Sequence, residues 1–208
     1  MNTQKLIIEI ISKMITTPLH SFYEHDYRYD SQYCTIEALD KLIEALHNRI
    51  NDSNWYDGLW FMEDAEMVYG LGYISIQNYI HKSIKDYCYS SNIQYDNKFY
   101  LKTGKRIEGF SHTNIELINA LANFAKHEHD KIKIPTSEVL LAFGLRAKGE
   151  FEQDDDFEIE RSPIYTGLKL ISENGKLLPI LLDIKMWRDS LWKNEIIPHQ
   201  SARRIKKT

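Results

Sequence analysis

Ile118-Asn119-Ala120-Leu121-Ala122-Asn123-Phe124-Ala125-Lys126-His127-Glu128-His129-Asp130 is the most informative stretch of this chain. It follows Thr113 and Glu116, which have the spacing of a capping box and predict a helix start. Ile115, Ile118, Leu121, Ala122 and Ala125 then recur at helical spacing and predict the buried stripe of that helix. Asn123 and His127 are four apart, a spacing that shares one helix face.

The same helical period runs through most of the chain. Leu6, Ile7, Ile10, Ile11 and Met14 make one stripe, closed by Pro18. Residues 18–34 show no period and are rich in tyrosine, so they read as a loop packed by its own rings. Thr35 reads as the N-cap of a helix carrying Ile36, Leu39, Leu42, Ile43, Leu46 and Ile50. Asn51-Asp52-Ser53-Asn54 stops it. A longer pattern from about Trp55 to Tyr89 holds Gly70 and Gly72, each costing about 1 kcal/mol in a helix interior. The expected compensation is a kink or a close helix crossing.

Residues 92–109 read as an extended connection with a short hairpin around Thr103-Gly104. Pro135 precedes a helix over Ser137–Lys148. Ser162-Pro163 starts another, and Asn174-Gly175 stops it. A last helix runs from about Leu178 to Ile196. The basic tail, residues 200–208, reads as frayed. With no repeat and no strand–helix alternation, the expectation is an all-α fold. It is a single helical domain over residues 1–208, a bundle of about six to seven helices.

Composition narrows the function classes. The chain has 208 residues, 43% hydrophobic content and a formal net charge of -4. Such a balance gives no general electrostatic case for binding nucleic acid. Cys34 and Cys88 are too few for a disulfide scaffold and read as free thiols of a reducing compartment. No apolar run reaches the ~18 residues of a membrane helix, and Met1 to Glu9 is a poor signal peptide. A soluble cytoplasmic protein without a cofactor is expected.

The segment Ala122–His127 resembles the active-site helix of the HEPN superfamily of helical nucleases and nuclease-like proteins. A second segment, Glu66–Tyr79, is similar to the Gly-x-Gly-aromatic helix of one HEPN-like branch, which also carries an Ala-Asn-aromatic-x-Lys-His segment. The family motif is an arginine, an adjacent polar residue and a histidine a few residues on. Asn123 and His127 match its last two parts. The resemblance implies an arginine that stabilises phosphate charge and a histidine that handles a proton, often with two motifs meeting across a homodimer. The arginine belongs at Ala122, or at Leu121 or Ala120 with looser spacing, and none of these is basic. A phosphodiesterase needs a positioned cation. Lys126 lies about 100° around the helix from His127 and is no easy substitute. Asn123 and His127 are therefore expected to be degenerate positions, with no catalytic residue. The competing reading of His127 is a histidine hydrogen-bonded within a helical core.

His127, His129 and Asp130 suggest metal ligands, but residues two apart point about 200° apart on a helix, so no metal site is expected. Gly70 and Gly72 lack the preceding strand and third glycine of a dinucleotide fingerprint.

Between Glu150 and Glu160 stand seven carboxylates and no basic residue: Glu150, Glu152, Asp154, Asp155, Asp156, Glu158 and Glu160. A solvated, self-repelling loop is the plain reading. The functional one is a surface for a basic partner. Tyr23, Tyr27 and Tyr29 are candidate aromatic anchors of the same interface. Together these features lead to a non-catalytic immunity protein, of the kind found in bacterial contact-dependent growth inhibition. Its expected partner is a cognate toxin, a basic nuclease; neither membrane nor nucleic acid is an expected partner. The alternative is a HEPN-type ribonuclease using His127 with an arginine from elsewhere, such as Arg146 or Arg106. A structural subunit of a larger complex is the third reading.

Overall fold

The computed structural model describes residues 24–127, 132–145 and 162–193. The expected helix over 6–15, the acidic residues 150–160, His129, Asp130, Arg146, Tyr23 and the basic tail lie outside them. The described residues form seven helices and no strand: α1 (Tyr29–Asp52), α2 (Gly58–Ser90), α3 (Asn97–Leu101), α4 (Asn114–Lys126), α5 (Ile134–Ala142), α6 (Pro163–Ile171) and α7 (Leu177–Trp192). The all-α expectation holds.

The spine is α2, a single 33-residue helix that runs unbroken through both glycines. Asp57 caps its start, accepting from the backbone N–H groups of Leu59 and Trp60. On one side α1 and α7 pack against it and against each other; on another lie α4 and α6, with α5 against α4. The glycines permit close approach rather than a kink. A Cβ on Gly70 would stand 3.1 Å from the Ala125 Cβ on α4, and one on Gly72 would stand 2.4 Å from the Leu177 side chain of α7.

The capping box at the start of α4 is complete. Thr113 Oγ1 accepts from the Glu116 N–H at 3.2 Å, and Glu116 accepts from the Thr113 N–H at 2.9 Å. The burial of α4 is wider than a stripe: Asn114, Glu116, Leu117, Ala120 and Phe124 are buried along with Ile115, Ile118, Leu121 and Ala122. A helix covered on nearly every side lies inside a bundle. The Thr113 hydroxyl also donates to the Leu101 carbonyl at 2.7 Å. Thr113→Ala removes both bonds and is expected to cost about 1–2 kcal/mol. A urea midpoint shifted down at constant slope would register it; an unmoved midpoint would show that the box contributes nothing.

Four local expectations need correction. Residues 29–34 are helical, and α1 starts at Tyr29 rather than at Thr35. Its N-cap, Arg28, makes no side-chain cap and is instead tied to Asp86 of α2 by an ion pair. Tyr29 and Tyr33 pack against the core, extending the stripe one turn back. Thr35 spends its hydroxyl on the Ser31 carbonyl one turn earlier. Residues 92–109 hold the short helix α3, started by Asp96 and seated by buried Tyr100, whose ring meets Tyr87 edge-on at 5.9 Å. In place of a hairpin at Thr103-Gly104 there is one antiparallel bridge, Arg106 to Thr113. Finally, α5 takes Pro135 into its first turn and ends at Ala142. Gly144, at φ +72°, turns the chain so that the Leu145 N–H closes on the Leu140 carbonyl at 2.9 Å.

Ser162 caps α6 with Pro163 next to it, as expected. The turn at Asn174-Gly175 separates α6 from α7, Gly175 adopting φ +69°. The start of α7 is capped from across the fold: buried Asp40 of α1 accepts from the N–H groups of Leu177 and Leu178 at 2.8 and 3.0 Å. Exposed Cys34 and buried Cys88 are both free.

Candidate functional site

Glu66–Tyr79 and Ala122–His127 lie far apart in sequence and meet in the fold. Gly70 lets α2 close on Ala125, and about two turns further on Gln77 projects into α4. Gln77 is 2% exposed, so each of its polar atoms needs a partner. The Lys126 ammonium, which has nothing but protons to offer, donates to Gln77 Oε1. That fixes the amide. Gln77 Nε2 then faces α4, 3.2 Å from the Asn119 carbonyl, 2.8 Å from Asn119 Oδ1 and 2.9 Å from Asn123 Oδ1.

The chain of constraints continues to His81. Asn119 Oδ1 is now an acceptor, and His81 Nε2 lies 3.0 Å from it. Nε2 must therefore carry the proton, which leaves the lone pair of the neutral ring on Nδ1. Asn97 Nδ2 stands 3.4 Å from the same nitrogen while its Oδ1 is buried with no partner. Turning that amide over would aim the oxygen at the Nε2 proton. Asn123 completes the seam by offering its amide nitrogen to Thr136 of α5 at 3.5 Å.

Burial pushes the His81 imidazole below its ordinary value, the hydrogen bond to Asn119 opposes this, and the Lys126 ammonium pushes the same way as burial. The fold thus favours neutral His81. With an unfolded value near ~6.5, its contribution is fully present above that pH and is lost as pH falls through the lower folded value. Unfolding free energy followed from pH 7 downward should fall less steeply in His81→Gln, which can still donate to Asn119. Identical slopes would mean His81 is not coupled to folding. Burial likewise holds the Lys126 ammonium below its ordinary range.

The positions named by the motif fare differently. Asn123 is drawn inward, its oxygen on Gln77. His127 is not inside a helical core: it is exposed, at the C-cap of α4, with φ -128°. Since the helix ends at Lys126, the shared face expected for Asn123 and His127 fails at its last member. Ala120, Leu121 and Ala122, where a cation belongs, are 1, 0 and 0% exposed. Arg106 is bridged to Thr113, at the opposite end of α4 from His127, about 20 Å away at 1.5 Å per residue. It cannot complete the motif within one chain.

The partner-binding candidates also separate. Tyr27 is 51% exposed under the Arg28 guanidinium, 4.5 Å from its ring centroid. Tyr29 packs at the edge of the core beneath the Lys185 ammonium at 5.3 Å. The acidic segment lies outside the described residues; Ser162, just beyond it, donates to Glu66 of α2.

Gln77, His81, Asn97, Asn119 and Thr136 were not singled out by sequence. A signal was there: Gln77 with His81, and Asn119 with Asn123, are polar pairs four apart inside apolar stretches. Donors and acceptors of the seam are directed at one another, an arrangement that locks α2 to α4. No family model matches the chain, and no curated protein and no solved structure matches it either.

Proposed function

We propose that this chain is a catalytically silent, HEPN-like helical protein that acts by binding another protein, most concretely an immunity protein that neutralises a toxin nuclease. The observation that carries the silent half of this reading is the burial of Ala120, Leu121 and Ala122. A cation there would point into the bundle rather than toward a phosphate. Asn123 supports it too, because its side chain is engaged by Gln77 and Thr136. Phosphodiester cleavage requires charge stabilisation aimed at the reacting oxygen, and the seam supplies an ordered amide ladder instead. The net charge of -4 supports a protein rather than a nucleic acid as the partner.

Near-stoichiometric protein incubated with total tRNA is expected to leave it intact. Cleavage abolished by His127→Ala would overturn the silent reading and establish the ribonuclease one. A toxin gene beside the gene for this chain, and rescue of cells expressing that toxin, would test the immunity half.

A further inference from the structure

The first half of α2 is bare on one side. Trp60, Met67 and Leu71 are 51, 69 and 51% exposed, and their spacing of seven and four sets them on one helix face. Half-buried Ile74 continues the line. The turn entering the helix adds Trp55 and Leu59, 63 and 44% exposed. This corner is pre-ordered. Arg49 of α1 lies 5.1 Å from the Trp55 ring and 4.7 Å from the Tyr56 ring, and buried Tyr56 donates to Asp64 at 2.9 Å. Large exposed apolar residues gathered along one helix face mark interaction surfaces, and tryptophan is among the residues most enriched where binding energy concentrates.

Charge says what kind of partner fits. From residue 51 to residue 80 the chain carries five carboxylates, Asp52, Asp57, Glu63, Asp64 and Glu66, and no lysine, arginine or histidine. Glu63 is exposed and stands on the stripe between Trp60 and Met67; Asp57 is exposed at the helix start. Arg49 reaches in from α1, but its guanidinium lies 3.9 Å from Asp64 and is stacked on the two rings. Two copies meeting by this face would oppose carboxylate to carboxylate, which disfavours self-pairing. A basic surface with an apolar socket is complementary to it.

We propose that the Trp55–Leu71 face of α2 is the docking surface for a basic protein. Trp60 and Leu71 enter its apolar socket, while its lysines or arginines meet Asp57 and Glu63. The proposal rests on the reading that this chain acts by binding a protein, and it moves the interface from the acidic 150–160 segment to α2.

The test places the photo-crosslinker p-benzoylphenylalanine at Met67 of the full chain in the cells that make it. The comparison position is Met186 on α7, which is 67% exposed. The expected result is an adduct at Met67 with a basic protein. Once identified and purified, that protein should bind Trp60→Ala at least tenfold more weakly than wild type. It should associate more slowly with Glu63→Lys, by a margin that shrinks as salt rises. Unchanged melting of both variants would show that the exposed positions were altered without harm to the fold. A Met67 adduct of this chain with itself, or with an acidic protein, overturns the proposal. Capture through Met186, with Trp60→Ala binding normally, overturns this face and leaves the binding reading standing. No adduct at either position removes both.

Discussion

Arg188→Leu is expected to destabilise the fold strongly. Arg188 is 5% exposed on α7. Its Nε donates to Asp26 Oδ2 at 3.2 Å, and its Nη2 to the Glu24 carbonyl at 2.9 Å. The Tyr79 hydroxyl donates to the same Asp26 oxygen. Side-chain exposures of 6 and 10% for Arg188 and Asp26 make this a buried pair. Leucine would leave the Asp26 carboxylate buried with Tyr79 but without the guanidinium directly paired to it. Removing one member of such a pair costs about 3–5 kcal/mol, because the remaining charge keeps its desolvation cost. In a protein of this size that amounts to a melting temperature lower by about 10 °C. Asp26→Asn added to Arg188→Leu should recover part of the loss, since the stranded charge is then gone. A double variant no better than the single would show that lost packing, not the stranded carboxylate, sets the cost.

Gly70→Leu is the second. The Gly70 position faces α4, with 3.1 Å between an added Cβ and the Ala125 Cβ. Alanine there is tight but gains about 1 kcal/mol of helix propensity, so Gly70→Ala should come out near neutral. Leucine has the same propensity advantage and three more carbons with no space to enter. Overpacking of this kind costs about 1–3 kcal/mol and pushes α2 away from α4. The separation should also loosen the Gln77 bonds to Asn119 and Asn123, which lie further along the same interface. Thermal unfolding of the glycine, alanine and leucine proteins would resolve the series. A leucine variant that melts with wild type would mean that the two helices do not cross there.

Both predictions concern how α2 is held, and the two differ in how far sequence reached. Gly70 was legible as a crossing point, because a glycine inside a helix implies something that compensates for it. Arg188 was hidden among the polar residues of α7, since nothing local distinguishes a buried arginine from a solvated one. The candidate site divides the same way. Asn123 and His127 were visible as motif positions, and the missing cation at 120–122 was visible as well. That Lys126 orients Gln77, and through it Asn119 and His81, was not. Those side chains come from segments 38 to 49 residues apart.

What the sequence determined by itself is the set of helices whose signals lie within a turn of their ends. Thr113 with Glu116 started α4, Ser162-Pro163 started α6, Asn51 to Asn54 stopped α1 close to its observed end at Asp52, and Asn174-Gly175 marked the turn before α7. A cap or a stop acts through hydrogen bonds to backbone groups two to four residues away, so the local string contains it. Only the tertiary structure decided where α1 begins, because Arg28 is held by Asp86, 58 residues on. Only it decided that Asp40 of α1 caps α7, across 137 residues. It also decided that the face of α2 carrying Trp60, Met67 and Leu71 stays bare while the opposite faces are covered. Helical periodicity identifies which residues share a face; which faces find a neighbour depends on how separate helices assemble.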